Sequence, residues 1–152
     1  MPGLVDKFTE DAQRVLTLAQ DEAQRLHDNF IGTEHLLLGL VGVDRCVAAR
    51  ALKTLGAGPD EVRREVESIE GRGEHPVVGE IGLTPRLKKI SELAVDEARR
   101  RKDRHVGTEH LLLGLLREGT GIAADVLARL DVSPARVREE IRRVLSEKPP
   151  RS

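Results

Sequence analysis

Two Glu-His pairs, Glu34-His35 and Glu109-His110, carry the side chains best suited to chemistry in this sequence. Carboxylate and imidazole groups are typical zinc ligands, so the two pairs could in principle supply a four-ligand site. Within each pair, however, the side chains are neighbours, which point about 100° apart on a helix, and no Cys or second His stands three or four residues away. We therefore predict no metal site, and interpret both histidines as residues that cap or fill a helix junction through a hydrogen bond.

The single cysteine, Cys46, would need a neighbouring base and an orienting group to act as a nucleophile. No Cys-His-Asn pattern is evident, and the phosphate-binding pattern G-x-x-x-x-G-K-[ST] does not occur. We interpret Cys46 as a small buried or turn residue, and predict neither catalytic residues nor a cofactor. One cysteine cannot form an internal disulfide, and the N-terminal sequence has no signal-peptide pattern, which favours a reducing, cytoplasmic setting.

The composition argues against two classes of partner. The 152 residues include 25 Lys and Arg against 26 Asp and Glu, and aromatic residues make up 1%, so a basic or base-stacking surface for nucleic acid is not expected. The strongest basic run, Arg99 to Lys102 followed by Arg104, is interpreted as the solvated end of a helix. No apolar run is long enough to span a membrane.

The scarcity of aromatic residues predicts an aliphatic core and favours helices.

A repeat extends over most of the chain. The segment GTEHLLLGL occurs at Gly32 to Leu40 and again at Gly107 to Leu115, an offset of 75 residues. With this offset and no gap, residues 8–66 and 83–141 share 25 identities in 59 positions. The chain therefore contains two copies of one unit, and an element assigned in one copy is expected in the other.

Each copy shows the signals of four helices. Thr9 and Thr84-Pro85 precede residues with helical spacing, so we predict that both threonines are N-caps of the first helices. Thr33 and Thr108 each follow a glycine and precede an apolar run, and we interpret them as N-caps of the second helices.

Third and fourth helices complete each copy. In the first copy they are predicted over 46–55 and from Pro59 onward, and in the second copy Ser133-Pro134 opens the last helix. We predict an all-α fold in which two four-helix repeats, eight helices in total, pack with pseudo-twofold symmetry. A unit of about 60 residues is marginal alone, so one domain is expected over 1–152. Its predicted parts are repeat one 8–70, loop 71–82, repeat two 83–147 and tail 148–152.

The motifs of both copies resemble the amino-terminal repeat domain of ClpC-type Clp unfoldases. The resemblance rests on the doubled GTEHLLLGL motif and on three longer segments, which are 8–40, 83–115 and 116–130. It implies an all-helical, pseudo-twofold domain that receives substrates and MecA-like adaptors for an AAA+ unfoldase and has no chemistry of its own. The implied partners are Clp unfoldase or protease components, adaptors, and arginine-phosphorylated or unfolded proteins, and the chain is expected to be a monomer.

The resemblance also implies a ligand site. In the family the glutamate of each GTEH motif receives phosphoarginine, a degradation mark, and the matching residues are Glu34 and Glu109. Phosphoarginine joins a cationic guanidinium to a phosphate, so its site needs a carboxylate for one group and N–H donors or a cation for the other. As a separate hypothesis, the hydroxyls of Thr9 and Thr84 and the adjacent helix N-termini bind the phosphate. Without the resemblance, each glutamate would be interpreted as a first-turn acid that complements the helix dipole.

Two segments depart from the family pattern, and the charge distribution suggests an alternative function. The turn at Val41 to Cys46 and the segment Arg101 to Val106 differ from the family pattern, so we expect a differently shaped first turn and a less dependable site at Glu109 than at Glu34.

The first 75 residues carry 9 basic and 14 acidic side chains, whereas the remainder carries 16 and 12. This asymmetry suits a regulatory docking subunit without client binding, which is the alternative to a receptor, adaptor or decoy. The chain could also be the N-domain of a longer unfoldase.

Overall fold

The computed structural model describes residues 7–26, 30–70 and 82–147. These residues form eight α-helices, four in each repeat, and two very short strands. The all-α prediction is therefore confirmed. Most of the predicted loop 71–82 and the whole of the predicted tail 148–152 lie outside the described residues. The elements are α1 (Glu10–Arg25), β1 (Phe30–Ile31), α2 (Thr33–Gly42), α3 (Val47–Thr54), α4 (Pro59–Glu70), β2 (Gly82–Leu83), α5 (Pro85–Arg100), α6 (Thr108–Glu118), α7 (Ile122–Arg129) and α8 (Pro134–Glu147).

The first helix of each repeat begins where the sequence predicts. The hydroxyl of Thr9 accepts a hydrogen bond from the backbone N–H of Ala12 at 3.1 Å, and the hydroxyl of Thr84 accepts one from Leu87 N–H at 3.1 Å. Each threonine thereby satisfies one of the N–H groups that a helix start leaves without an intrahelical partner. Pro85 occupies the first turn of α5, where the missing proline N–H costs nothing.

Two short parallel backbone pairings join the repeats. β1 pairs with β2, so that the segment before α2 lies beside the segment before α5. In the same way Phe8, before α1, pairs with Val106, before α6. The start of the first helix in each repeat is therefore held next to the GTEH motif of the other repeat. The sequence analysis did not predict these pairings.

The core is aliphatic, as the composition predicts, and it is centred on α2 and α6. In both helices nearly every residue of the LLLGL segment is buried, because neighbouring helices cover all sides. Gly39 and Gly114 make the closest approaches. A Cβ atom on Gly39 would lie 2.5 Å from the carbonyl oxygen of Val15, and one on Gly114 would lie 2.7 Å from that of Ile90. The first and second helices of each repeat thus pack in backbone contact.

The third and fourth helices of each repeat pack against the opposite repeat. α3 lies against α8 and also contacts α6, and α4 lies against α7. The buried apolar residues of both repeats form one continuous cluster. Because helices of one repeat cover the core of the other, the pairing supplies burial that a single four-helix unit lacks.

A pair of equivalent ion pairs also follows the 75-residue offset. Arg63 on α4 binds Glu22 on α1 at 2.6 Å, and Arg138 on α8 binds Glu97 on α5 at 3.1 Å. Arg117 adds a second cation 3.3 Å from Glu97. Burial raises the pKa of Glu97, but the hydrogen bonds and charges of Arg138 and Arg117 lower it more, so the pKa of this carboxyl lies below its ordinary value.

This pKa shift predicts a contribution of Glu97 to stability that depends on pH. Because the folded-state pKa is lowered, the contribution is present above the unfolded pKa of about 4.3 and is lost as the pH falls through the folded value. We expect Glu97→Gln to lower the free energy of unfolding at pH 7 by about 1 to 2 kcal/mol, and the difference from wild type to shrink toward pH 3. Urea unfolding at several pH values measures this. The control is Glu139→Gln, which alters an exposed acid without an ion pair in the described part of the chain, and a pH-independent loss for Glu97→Gln would contradict the prediction.

Candidate functional site

The two GTEH motifs form identical turns at the starts of α2 and α6. The N-caps are Gly32 and Gly107. The Nδ1 atom of His35 accepts a hydrogen bond from Gly32 N–H at 2.9 Å, and the Nδ1 atom of His110 accepts one from Gly107 N–H at 2.8 Å. Both imidazoles are buried. The interpretation of the histidines as capping residues is confirmed.

The interpretation of Thr33 and Thr108 as N-caps of their own helices is wrong. Each is the first residue of its helix, after the glycine N-cap. The hydroxyl of Thr33 accepts a hydrogen bond from Ala123 N–H at 3.1 Å, and that of Thr108 accepts one from Ala48 N–H at 3.2 Å. These N–H groups belong to the first turns of α7 and α3, each in the other repeat. The threonines therefore cap helices of the opposite repeat, across the pseudo-twofold interface. The sequence of a single repeat does not indicate this.

Each GTEH glutamate folds back over its glycine. A Cβ atom on Gly32 would lie 2.7 Å from Oε1 of Glu34, and one on Gly107 would lie 2.6 Å from Oε1 of Glu109. Glycine therefore leaves the space that each carboxylate occupies. The two carboxylates differ in access: Glu34 is buried, with 3% of its surface exposed, whereas Glu109 is partly exposed. The accessible glutamate is thus the one that the sequence analysis ranked second.

Glu109 lines a cleft of about 450 Å³ between the repeats. Three helices begin at this cleft, because Thr9, Val47 and Thr108, all lining residues, belong to the starts of α1, α3 and α6. Helix N-termini present free N–H groups and the positive end of the helix dipole, and so favour anions. The cleft therefore combines the accessible Glu109 carboxylate with helix starts suited to negative charge, although Asp11 and Asp103 also line it.

The structure places each predicted threonine beside the segment that precedes the GTEH motif of the other repeat. Thr9 N–H donates to the carbonyl oxygen of Val106 at 3.0 Å, one residue before the second GTEH motif, and both Thr9 and Glu109 line the cleft. Thr84 N–H donates to Ile31 O at 3.3 Å, one residue before the first motif. The predicted site residues thus form two composite pairs.

Three arginines line the cleft as well, and the sequence analysis singled out only one of them. Arg45 and Arg104 are exposed and have no ion pair in the described part of the chain, and Arg50 binds Glu147 at 2.9 Å. Arg104 belongs to the basic run that follows α5, which is solvent-exposed as predicted. Arg45 lies in the turn after α2, where the sequence departs from the family pattern. This departure from the family pattern is the only feature of the sequence that draws attention to Arg45. Its place in the Glu109 cleft depends on how the repeats pack.

The two turns that follow the GTEH helices do differ in shape. α6 ends at Gly119, whose φ of 72° is in the left-handed region that favours glycine, whereas α2 ends at Val43 in extended backbone. The prediction of a differently shaped first turn is confirmed. The extended path carries the chain directly into the Arg45 turn.

Three side chains in the cleft lie close enough to suggest a metal site. Ligand atoms of Asp103, Glu109 and His110 lie within 4.8 Å of one another. However, Nδ1 of His110 accepts the Gly107 N–H, so in a neutral ring Nε2 carries the proton. The Nε2 atom lies 2.8 Å from Oδ2 of Asp103 and donates to it. The imidazole therefore has no free lone pair for a metal, and the arrangement fits a hydrogen-bonded chain that fixes the turn.

Cys46 also lines the cleft but is suited to a structural role. It is buried and is the N-cap of α3, where its Sγ accepts a hydrogen bond from Ala49 N–H at 3.4 Å. Burial raises the pKa of the Cys46 thiol above its ordinary value, against the lowering effects of the Thr108 hydroxyl and the Ala49 N–H. A protonated thiol is a poor nucleophile, and the interpretation as a small buried residue is confirmed.

Comparison with known proteins supplies the family context. The sequence pattern described as "Clp repeat (R) N-terminal domain" matches residues 7–120 and 94–152. The ClpC/MecB protein of Bacillus subtilis (strain 168), described as a negative regulator of genetic competence, is 52% identical over 139 residues, which cover 91% of this chain and 17% of that protein. The chain thus spans about a sixth of the length of such relatives.

Solved structures agree with this match. The N-terminal domain of the caseinolytic protease associated chaperone ClpD from Arabidopsis thaliana superposes with a TM-score of 0.74 and 27% identity, over 92% of this chain and 95% of that domain. A ClpV N-domain in complex with a VipB peptide has the same fold, with a TM-score of 0.74 and 15% identity, over 97% and 92% of the two chains. Among the described residues, no helix has the length and apolar character needed to cross a membrane.

Proposed function

Because the chain belongs to the Clp repeat N-terminal domain family, we propose that it is a non-enzymatic binding module of the Clp protease system. Its ligands are phosphoarginine-marked or unfolded proteins, or adaptors. Support comes from relatives described as an ATP-binding subunit of Clp protease or as chaperone protein ClpC2, and from a ClpV N-domain of the same fold whose structure holds a peptide. The observation that carries the proposal is the Glu109 cleft, in which the accessible GTEH carboxylate lies among helix N-termini.

The proposed complex pairs each part of phosphoarginine with a matching group. The guanidinium binds the Glu109 carboxylate, which is held over Gly107 and is accessible from the cleft. The phosphate binds at the start of α1, beside the Thr9 hydroxyl and the first-turn N–H groups, and one arginine of the cleft offsets its charge. Unmodified arginine keeps the first contact but lacks the second, so the cleft discriminates the modified side chain.

A second, weaker site is proposed at Glu34 with Thr84. Support comes from the hydrogen bond of Thr84 N–H to Ile31 O, which is equivalent to that of Thr9 N–H to Val106 O. The Glu34 carboxylate is buried, however, and must become accessible for a ligand to bind. Since this opening reduces the apparent affinity, we expect the Glu34 site to bind more weakly than the Glu109 cleft.

Calorimetric titration with free phosphoarginine tests the proposed function. We expect Glu109→Ala to weaken the tighter binding event at least about tenfold, because it removes a charge-assisted hydrogen bond, and Glu34→Ala to remove only the weaker event. The double variant is expected to give no heat, and unmodified arginine is the ligand control. Absence of heat with the wild-type protein, while circular dichroism shows it folded, would contradict the proposal.

The same titration separates this function from the alternative of a regulatory docking subunit without clients. That alternative draws on the net negative first half and net positive second half of the chain, and a subunit of that kind would not bind phosphoarginine. Whether the module acts as adaptor, receptor or decoy, or as the N-domain of a longer unfoldase, its proposed partner is a Clp unfoldase. The proposed setting is a reducing compartment such as the cytoplasm, with the protein as a monomer.

A further inference from the structure

The charged residues around the two GTEH glutamates do not follow the repeat. The 75-residue offset relates the three cleft arginines, Arg45, Arg50 and Arg104, to Thr120, Asp125 and Asn29 in the other copy. In sequence, three arginines that line the Glu109 cleft thus correspond to two neutral residues and one acidic residue, and two of the arginines, Arg45 and Arg104, have no ion pair within the described residues. The GTEH turns and the helix starts are shared by both copies, whereas the turn that follows the GTEH helix and the side-chain charges differ.

One position has an acidic residue in the Glu109 cleft and a basic residue in the other copy, but this exchange does not make the charges of the two sites equal. Asp11, which lines the Glu109 cleft, corresponds to Arg86 in the second copy. The guanidinium of Arg86 binds Glu118 at 3.3 Å, so its charge is already offset. The surroundings of Glu34 therefore offer no unpaired arginine equivalent to Arg45 or Arg104 within the described residues.

Arg45 and Arg104 approach the cleft from different parts of the chain. They come from different repeats, Arg45 from the turn before α3 and Arg104 from the segment before α6, and both are exposed at the cleft. One phosphate is satisfied by the start of α1 and a single cation. The second exposed arginine, on another element, is then free to bind an acidic residue that neighbours the modified arginine in a peptide.

We propose that the Glu109 cleft selects peptide segments in which acidic residues flank the modified arginine, and that Arg45 and Arg104 determine this specificity. The Glu34 site lacks the selection. This inference rests on the proposed function, because the flanking contacts supplement the binding of phosphoarginine itself. Two sites in one chain would then divide marked proteins by the charge of the sequence around the mark.

Fluorescence anisotropy with two short peptides tests the inference. Each peptide carries one phosphoarginine, flanked on both sides by Asp in one and by Lys in the other. In Glu34→Ala protein, where the Glu109 cleft alone reports, we expect the Asp-flanked peptide to bind about tenfold more tightly, with a preference that declines as salt is raised. In Glu109→Ala protein we expect the two peptides to bind with similar affinity.

A repeat-exchange variant identifies the residues responsible. Arg45→Thr with Arg104→Asn, in the Glu34→Ala background, introduces the residues found at the equivalent positions and is expected to bring the two peptide affinities within about twofold. Arg64→Asn in the same background removes an exposed charge from α4 that has no ion pair within residues 7–26, 30–70 and 82–147. Arg64 is not part of the cleft, so this variant should leave the preference unchanged. If free phosphoarginine binds but the peptides are not distinguished, the inference is wrong and the proposed function stands. If phosphoarginine and both peptides fail to bind folded protein, both are wrong.

Discussion

Gly39→Ala and Gly114→Ala are each expected to destabilise the protein by about 3 kcal/mol. The added methyl group would lie 2.5 Å from Val15 O in the first case and 2.7 Å from Ile90 O in the second. These atoms are backbone, so relief requires that α1 and α2, or α5 and α6, move apart. The gain in helix propensity of about 1 kcal/mol does not compensate. Thermal unfolding followed by circular dichroism should show a fall in Tm of roughly 6 to 12 °C.

Gly42→Ala in α2 provides the matched control. Its methyl group would meet only the end of the Leu18 side chain, at 3.1 Å, and that side chain can rotate. We expect a Tm within a few degrees of wild type, or slightly above it because alanine favours the helix. Similar Tm values for Gly39→Ala, Gly114→Ala and Gly42→Ala would contradict the close helix packing.

Gly107→Ala is expected to reduce phosphoarginine binding at the cleft at least about tenfold without unfolding the protein. The methyl group would lie 2.6 Å from Oε1 of Glu109, so the carboxylate must leave its position. The backbone at Gly107 has φ −101°, which alanine adopts readily, and a glycine-to-alanine change at an N-cap costs only about 1 kcal/mol or less. Calorimetric titration of Glu34→Ala protein, with and without Gly107→Ala, measures the effect.

Gly58→Ala makes the same kind of change away from the cleft. Its methyl group would lie 2.9 Å from Oε1 of Glu61, in the first turn of α4. We expect this variant to bind phosphoarginine as the parent does. Unchanged affinity in Gly107→Ala would show that the position of the Glu109 carboxylate over its glycine has no part in binding.

The helices could be predicted from sequence because their signals are local. Threonine and proline at helix starts, and apolar residues at three- and four-residue steps, depend only on neighbours along the chain. The predicted starts at Thr9 and Thr84 agree with the structure for this reason. At the second helices the local signal is ambiguous, because glycine and threonine are both common N-caps. Gly32 is the N-cap of α2, and the Thr33 hydroxyl caps α7 of the other repeat.

The composition of the candidate site could not be predicted, because it depends on contacts between residues far apart in sequence. The family resemblance identifies Glu34 and Glu109, and the departures from its pattern favour Glu34 as the more dependable site. The structure shows that one is buried and the other lines a cleft. Arg45 contributes to the Glu109 cleft through the packing of α3 against α6, which no periodicity within one copy indicates.

The capping of α3 and α7 by threonines of the opposite repeat has a consequence for how the protein can evolve. Each cleft is assembled from both halves of a duplicated ancestor, much as a domain-swapped dimer builds each active site from two subunits. A substitution such as Arg45 therefore alters the cleft that holds the glutamate of the other copy. The two sites can therefore diverge through a change in either half, and the exchange or loss of one half would alter both, because each half caps a helix of the other.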